Sequence, residues 1–359
     1  MRRLGRAALA ATLALAGFVA YQLLRPGSTP PPRSPAGIAS LEPVAISGSR
    51  QWVLIRGDDA SKPVLLFLHG GPGAPMMPVA HLFSPELERS FVMVHWDQRG
   101  SGKSYDGPPA PGSLTLDRCV ADTIELTEWL RARLHADKVF LVGHSWGAAL
   151  GVLAAQRRPD LFYAYVGLGQ VVDNPREEEI GLRFVRERAR EHGDEQALRE
   201  LADLKPPYLE NPKQMLVERK WLARYGGDFH TGVSLPLLSD FDARWVWAAL
   251  RSPEYSWGDL IHFELGFSQV RWALFREFKQ LSLLRSVPRL EVPVYLLVGR
   301  YDYTTPFELV QEYFDRLDAP LGKHLVWFEN SAHSPVLEEP ERFAQVLIEQ
   351  VLPEARAAR

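Results

Sequence analysis

The run Val139-Phe140-Leu141-Val142-Gly143-His144-Ser145-Trp146-Gly147-Ala148-Ala149 restricts the possible folds more than any other part of the chain. Four consecutive apolar residues read as a strand buried on both faces, which belongs inside a parallel sheet covered by helices. The small residues after Ser145 read as a helix, and a Gly-x-Ser-x-Gly turn joins the two. Without a Cβ, Gly143 and Gly147 let strand and helix approach closely, so that Ser145 sits on a strained turn with its hydroxyl exposed. The N–H of Trp146 then faces the position where a negative oxygen would develop. This is the pattern of a nucleophile elbow.

A serine hydroxyl is a poor nucleophile at neutral pH, so the chemistry also requires a base, a carboxylate to orient it and a second oxyanion donor. The strand-like run from Pro63 to Leu68 ends in His69-Gly70-Gly71-Pro72-Gly73, and Gly71 is the candidate second donor. Val292 to Val298 reads as a buried strand leading to Gly299-Arg300-Tyr301-Asp302. Lys323 to Phe328 reads as the next, leading to Asn330-Ser331-Ala332-His333-Ser334-Pro335. Asp302 and His333 thus fall just past the C-terminal ends of strands, the edge where an open parallel sheet binds ligands. Of the ten histidines, only His333 occupies the loop after the last strand. Asp173, which follows the strand from Leu161 to Gly167, is the alternative acid. The chain order Ser145, Asp302, His333 is that of the α/β-hydrolases.

His69-Gly70-Gly71-Pro72-Gly73, Asp97-Gln98-Arg99-Gly100-Ser101-Gly102 and Ser145-Trp146-Gly147 together resemble the proline iminopeptidase branch of the α/β-hydrolase superfamily, over a match from about Gln51 to Leu352. The resemblance implies a serine that attacks a carbonyl and an oxyanion hole from Gly71 and Trp146. It also implies a helical cap with acidic residues for a free amine. One position departs from the pattern: that family usually has glycine before the serine, whereas this chain has His144, as lipases and esterases do.

Composition and further motifs exclude several functions. With 46% hydrophobic residues among 359, the chain can bury one large catalytic core with an insertion. A net charge of −3 provides no broad basic surface for nucleic acid. Cys119, the single cysteine, forms no internal disulfide, and its place in a helical pattern suits a buried apolar role. No His- or Cys-rich spacing points to a metal, and no cofactor is expected. Gly100 to Ser104 ends like a phosphate-binding loop, but Asp97 stands where that loop needs glycine. Gly167-Leu168-Gly169 lacks the third glycine of a dinucleotide fingerprint, because position 172 is Val172. Asp97 and Arg99 are expected to brace a loop.

The N-terminus differs in kind. Arg2, Arg3 and Arg6 precede an uncharged run from Ala7 to Leu24, and no acidic residue occurs before Glu42. Eighteen residues lie at the lower end of a bilayer span, and Ala14-Leu15-Ala16 offers a signal-cleavage site. Both an anchor and a cleaved export signal fit. Continuation of the run to Leu24 favours the anchor, with the arginines cytoplasmic and the catalytic domain outside. The Pro-rich stretch 25–37 reads as a spacer.

Strand patterns alternating with helical ones predict an α/β fold, with a mainly parallel sheet, helices on both faces and a helical cap inserted after the strand preceding Asn174. Val44 to Arg56 reads as edge strands. From Thr115, residues Leu116, Cys119, Val120, Ile124, Leu126, Leu130 and Leu134 form one apolar helical stripe. The expected division is 1–24 signal or anchor, 25–37 linker, 38–173 and 287–359 core, and 174–286 cap. The cap is expected to be helical, and its segment Pro175 to Lys205 reads as a solvated, ion-paired helix, with substrate binding as the alternative. Trp221, Trp245, Phe263, Phe267 and Trp272 lie in an aromatic-rich remainder that packs the cap and lines an apolar pocket. Glu264, set among aromatics, is the leading candidate to bind an amine, with Glu218 and Glu254 as alternatives.

The expected protein is therefore an extracytoplasmic serine hydrolase acting on a small molecule or short peptide with a hydrophobic group. A prolyl aminopeptidase-like activity is the first reading, a carboxylesterase or non-peptide amidase the second, and a non-catalytic binding protein the third. Epoxide hydrolases and haloalkane dehalogenases share the fold, but need a carboxylate at position 145.

Overall fold

The computed structural model describes residues 2–110, 112–230, 234–235 and 238–357, with side chains for 12–110, 112–230 and 245–355. Its framework is an eight-stranded sheet of β1 (Ile38–Ile46), β2 (Ser49–Gly57), β3 (Val64–Leu68), β4 (Val92–Trp96), β5 (Val139–His144), β6 (Phe162–Leu168), β9 (Val294–Gly299) and β10 (Lys323–Phe328). The spatial order is β1-β2-β4-β3-β5-β6-β9-β10. β1 with β2 and β2 with β4 are antiparallel, and all later pairs are parallel. The expectation that Val44 to Arg56 forms edge strands holds for β1 alone. Pairing of β2 with β4, Leu54 opposite His95, takes β2 inside the sheet.

Alternation along the central strands explains why both faces are covered. Leu66, Leu68, Leu141 and Val298 face one buried cluster, while Leu65, Phe67, Phe140 and Val142 face another. The first face receives helices α2 (Leu116–Leu134) and α3 (Trp146–Arg157). Thr115 caps α2 by accepting from the N–H of Arg118 at 3.2 Å, and Cys119, Val120, Leu126 and Leu130 are buried as the stripe predicts.

Between β6 and β9 the chain builds the cap: α4 (Asn174–Glu191), α5 (Glu195–Leu201), α6 (Lys213–Arg224), α7 (Ala243–Arg251) and α8 (Trp257–Lys279). It is not wholly helical, because β7 (Ser234–Leu235) and β8 (Leu238–Asp242) form a short antiparallel pair. The segment Leu238-Ser239-Asp240-Phe241-Asp242 holds two aspartates, a residue type depleted in strands, and lacks apolar–polar alternation, so its sequence carries no strand signal. Helix α9 (Phe307–Arg316) then connects β9 to β10.

The apolar N-terminal run forms α1 (Arg2–Leu24). Among the described residues no helix is long and apolar enough to cross a membrane, and the side chains of the first eleven residues, which hold part of that run, lie outside the described set.

The elbow glycines are fixed by contact as well as by conformation. A Cβ on Gly147 would lie 2.2 Å from the carbonyl oxygen of Leu68, and one on Gly143 would lie 2.3 Å from that of Gly147. Because these neighbours are backbone, neither can rotate away. Gly147→Ala is therefore expected to destabilise the protein by about 1–3 kcal/mol, seen as a lower Tm by calorimetry. An unchanged Tm would show that β3 and α3 are not in this contact.

Candidate active site

Ser145 occupies the single residue between β5 and α3, at φ 55° and ψ −116°, a region that side-chain-bearing residues rarely adopt. Its N–H donates to the carbonyl of Leu168 at 2.8 Å, while its own carbonyl accepts from Ala148 and Ala149 at 2.9 and 3.2 Å. The turn is thus held from the sheet and from the helix. As the first residue of α3, Trp146 presents an N–H with no intrahelical acceptor, at the positive end of the helix. Gly71, at φ +117°, belongs to the loop after β3. A Cβ on its neighbour Gly70 would lie 3.3 Å from the Cβ of Ser145, so the glycine loop passes directly over the serine.

Asp302 follows β9 and His333 follows β10, and the two side chains meet: His333 Nδ1 donates to Asp302 Oδ2 at 2.9 Å. The Asp302 carboxylate is further held by the N–H groups of Thr304 and Thr305 at 2.9 and 2.8 Å and by the Thr305 hydroxyl at 2.8 Å. Both residues are buried. Burial lowers the pKa of His333, but the charge of Asp302 and the bond to it, with Asp228 beyond, outweigh burial and leave it raised. Asp173, the alternative acid, is engaged elsewhere, capping α4 through the N–H of Arg176 and accepting from the Ser282 hydroxyl at 2.5 Å.

The remaining motif residues form the frame. His69 is buried, which lowers its pKa to about 4 and keeps it neutral. Its Nδ1 donates to the Gly70 carbonyl at 2.9 Å, leaving Nε2 to accept from the N–H of Gln98 at 3.2 Å. Gln98 returns a bond to the His69 carbonyl at 3.0 Å and accepts from the Trp146 indole at 2.9 Å. The glycine loop, the Asp97-Gln98-Arg99 loop and the elbow are therefore one hydrogen-bonded unit, which is why the three motifs belong together. Arg99 clasps Asp122 with two bonds at 2.7 and 2.9 Å, and Asp97 accepts from the Lys103 N–H at 2.8 Å and from the Tyr255 hydroxyl. His144, the residue that departs from the family pattern, donates from Nε2 to the carbonyl of His333 at 2.9 Å; burial drops its pKa to about 3. It ties the elbow to the histidine loop while staying uncharged.

A cavity of about 410 Å³ opens above these residues, lined by Gly71, Ser145 and His333 from the core and by Phe263, Phe267 and Phe278 from α8. Glu264 also lines it, from an exposed position. The charged residues Glu177, Arg219 and Lys279 line it too, with Glu177 and Lys279 buried. Pro175 to Lys205 read as solvated, yet Glu177 and Glu178 are buried. Glu178 binds Lys279 and, at 2.6 Å, Arg219, and these two cations outweigh burial to lower its pKa. Glu177 accepts from the N–H groups of Val172 and Asp173 at 2.5 and 3.2 Å, with its pKa raised by burial. A run of arginine and glutamate reads alike in sequence whether it faces water or pairs inside a cap, so only the partners on α6 and α8 reveal the difference. Of the alternatives to Glu264, Glu218 is buried under Tyr208 and Arg219, and Glu254 is buried beside Ser252.

Sheet order, the Ser145 elbow and the strand-end pair of Asp302 and His333 are those of an α/β hydrolase, and residues 65–346 match the alpha/beta hydrolase family. The chain belongs to that family and is a hydrolase. It is 36% identical over 313 residues to the probable aminopeptidase YbaC of Bacillus subtilis, covering 86% of this chain and 95% of that protein. It is 24% identical over 295 residues to the proline iminopeptidase of Heyndrickxia coagulans, covering 79% and 88% respectively. The solved proline iminopeptidase of Mycobacterium smegmatis shares the fold at a TM-score of 0.62, with 19% identity over 89% of this chain and 100% of that one.

Proposed function

We propose that the protein is a serine hydrolase that opens an amide or ester bond through an acyl-enzyme, and that its substrates are aminoacyl compounds, as for a proline iminopeptidase-like aminopeptidase. The observation that carries this reading is the 2.9 Å pair of His333 and Asp302 at the wall of the cavity that holds Ser145. Ser145 Oγ attacks the substrate carbonyl as His333 Nε2 takes its proton, and Asp302 holds Nδ1–H and stabilises the imidazolium. The N–H groups of Gly71 and Trp146 receive the oxyanion. His333 returns the proton to the leaving amine or alcohol, and a water molecule releases the acyl group by the same steps in reverse roles. No cofactor takes part.

The names of the two relatives support the aminopeptidase form, and so does a carboxylate at the cavity mouth. An ammonium group placed among aromatic side chains without a counter-charge costs several kcal/mol, and Glu264 supplies that charge. Prolyl anilide is then expected to be hydrolysed much faster than its N-acetyl analogue. Glu264→Gln should raise KM for the free amine and leave simple esters nearly unaffected. Equal turnover of the acetylated compound would replace the aminopeptidase with a carboxylesterase or non-peptide amidase. Two observations favour that second reading: His144 stands in place of glycine, and the cavity lining carries the cations Arg219 and Lys279 as well as acidic groups. We further propose, from the three arginines and the uncharged run that follows them, that the N-terminal segment directs the catalytic domain out of the cytoplasm, as an anchor or, where it is cleaved, as an export signal.

A further inference from the structure

Exposed large apolar side chains are concentrated on one part of the molecule. Ten of the thirteen described examples belong to α1, to the turn 77–82, or to α7 and α8. These elements pack on one another: α1 on α8, α7 on α8, and the turn on α7. Scattered exposed apolar residues are ordinary, but a contiguous set marks a surface that another apolar phase covers.

The geometry of α8 gives the set a direction. At 3.6 residues per turn, Trp257, Ile261, Leu265 and Trp272 fall within about 80° of arc. Phe263 and Phe267, on an adjacent face, line the cavity. Ile261 and Leu265 are exposed, as is Trp247 of α7, whose ring carries the Arg251 guanidinium at 5.5 Å. Ala249 and Leu250 of α7 line the cavity as well, so α7 and α8 both present apolar residues inward and outward, which is unusual for a helix facing water.

Helix α1 is seated on this same face. Phe18 meets Trp257 edge-on at 6.0 Å, and the Arg25 guanidinium donates to the carbonyls of Ser252, Pro253 and Tyr255 at 2.6, 3.0 and 2.5 Å. Leu13, Leu15, Phe18, Tyr21 and Leu24 remain more than half exposed. The run Ala7 to Leu24 is about 27 Å long as a helix, close to the roughly 30 Å of a hydrocarbon core. It follows three arginines that complement anionic headgroups. The occupant that fits both the helix and the face beside its root is a bilayer.

We propose that the outer face of α7 and α8 rests at the headgroup boundary of an anionic bilayer into which α1 inserts, and that lipophilic substrates reach the cavity from the membrane between these two helices. The substrates are then acyl or aminoacyl derivatives of apolar alcohols or amines, dissolved in lipid. The inference rests on the hydrolase reading above for its activity measurement only.

The full chain can be tested with vesicles of phosphatidylcholine and phosphatidylglycerol, some carrying brominated acyl chains. Brominated lipid is expected to quench part of the tryptophan emission, and the conservative change Trp247→Phe should remove a measurable share of that quenching. A variant with Trp247→Ser, Ile261→Ser and Leu265→Ser, all at exposed positions, should still float with vesicles through α1. It should lose several-fold in rate on a dodecanoyl aryl ester held in the vesicles, with no change on a soluble butyryl aryl ester. Flotation with identical quenching in wild type and Trp247→Phe would overturn the proposal, leaving a tether without docking. So would a dimer whose contact through these residues shields Trp247 from brominated lipid. Loss of both ester activities in the wild type would instead indict the hydrolase reading, because quenching and flotation do not depend on turnover.

Discussion

Ser145→Ala is expected to lower kcat by about 10⁶, as removal of the nucleophile does where serine, histidine and aspartate act as one unit. It is also expected to abolish labelling by a fluorophosphonate, which requires the activated oxygen. The fold should survive. Ser145 makes its structural bonds through its own N–H and carbonyl, to Leu168, Ala148 and Ala149, and alanine keeps all three. Alanine tolerates the φ of 55° no worse than serine does, so Tm should change little. Labelling of the alanine variant at the wild-type level would show that another residue carries the reactivity.

The parts of the molecule legible in the sequence are those whose local pattern has a single physical solution. An apolar strand, two glycines around a serine and a small-residue helix admit one geometry, and the backbone clashes awaiting any Cβ on Gly143 or Gly147 show why. The pairing of Asp302 with His333 was also readable, because parallel strands of known order bring their C-terminal loops to one edge. What stayed hidden depends on partners distant in sequence. Nothing near Glu178 announces that Arg219 and Lys279 will enclose it. Nothing near Gln98 announces that it links His69 to Trp146. The β7–β8 pair was hidden for a simpler reason: Ser239, Asp240 and Asp242 make β8 mostly polar, and strong helical periodicity follows it directly.

Asp302→Asn tests the second expectation, and the two candidate acids make it discriminating. The amide cannot accept from His333 Nδ1–H as a carboxylate does; instead its NH₂ favours the wrong imidazole tautomer, and kcat is expected to fall by about 10⁴. Asp173→Asn should leave kcat nearly unchanged, because Asp173 caps α4 and binds Ser282, and asparagine caps helices almost as well. The pH profile adds a readout that a merely structural role would not move. His333 must be neutral to act as base, and Asp302 helps hold its pKa above the ordinary 6.5, so wild-type kcat/KM should rise with pH through a midpoint above that value. Removing the carboxylate charge leaves burial, which lowers the pKa, with less opposition. The residual activity of Asp302→Asn should therefore have its acid limb displaced to lower pH. A mild effect of Asp302→Asn together with a crippling one of Asp173→Asn would transfer the orienting role to the strand before the cap, and an acid limb that stayed in place would separate Asp302 from the titration of His333.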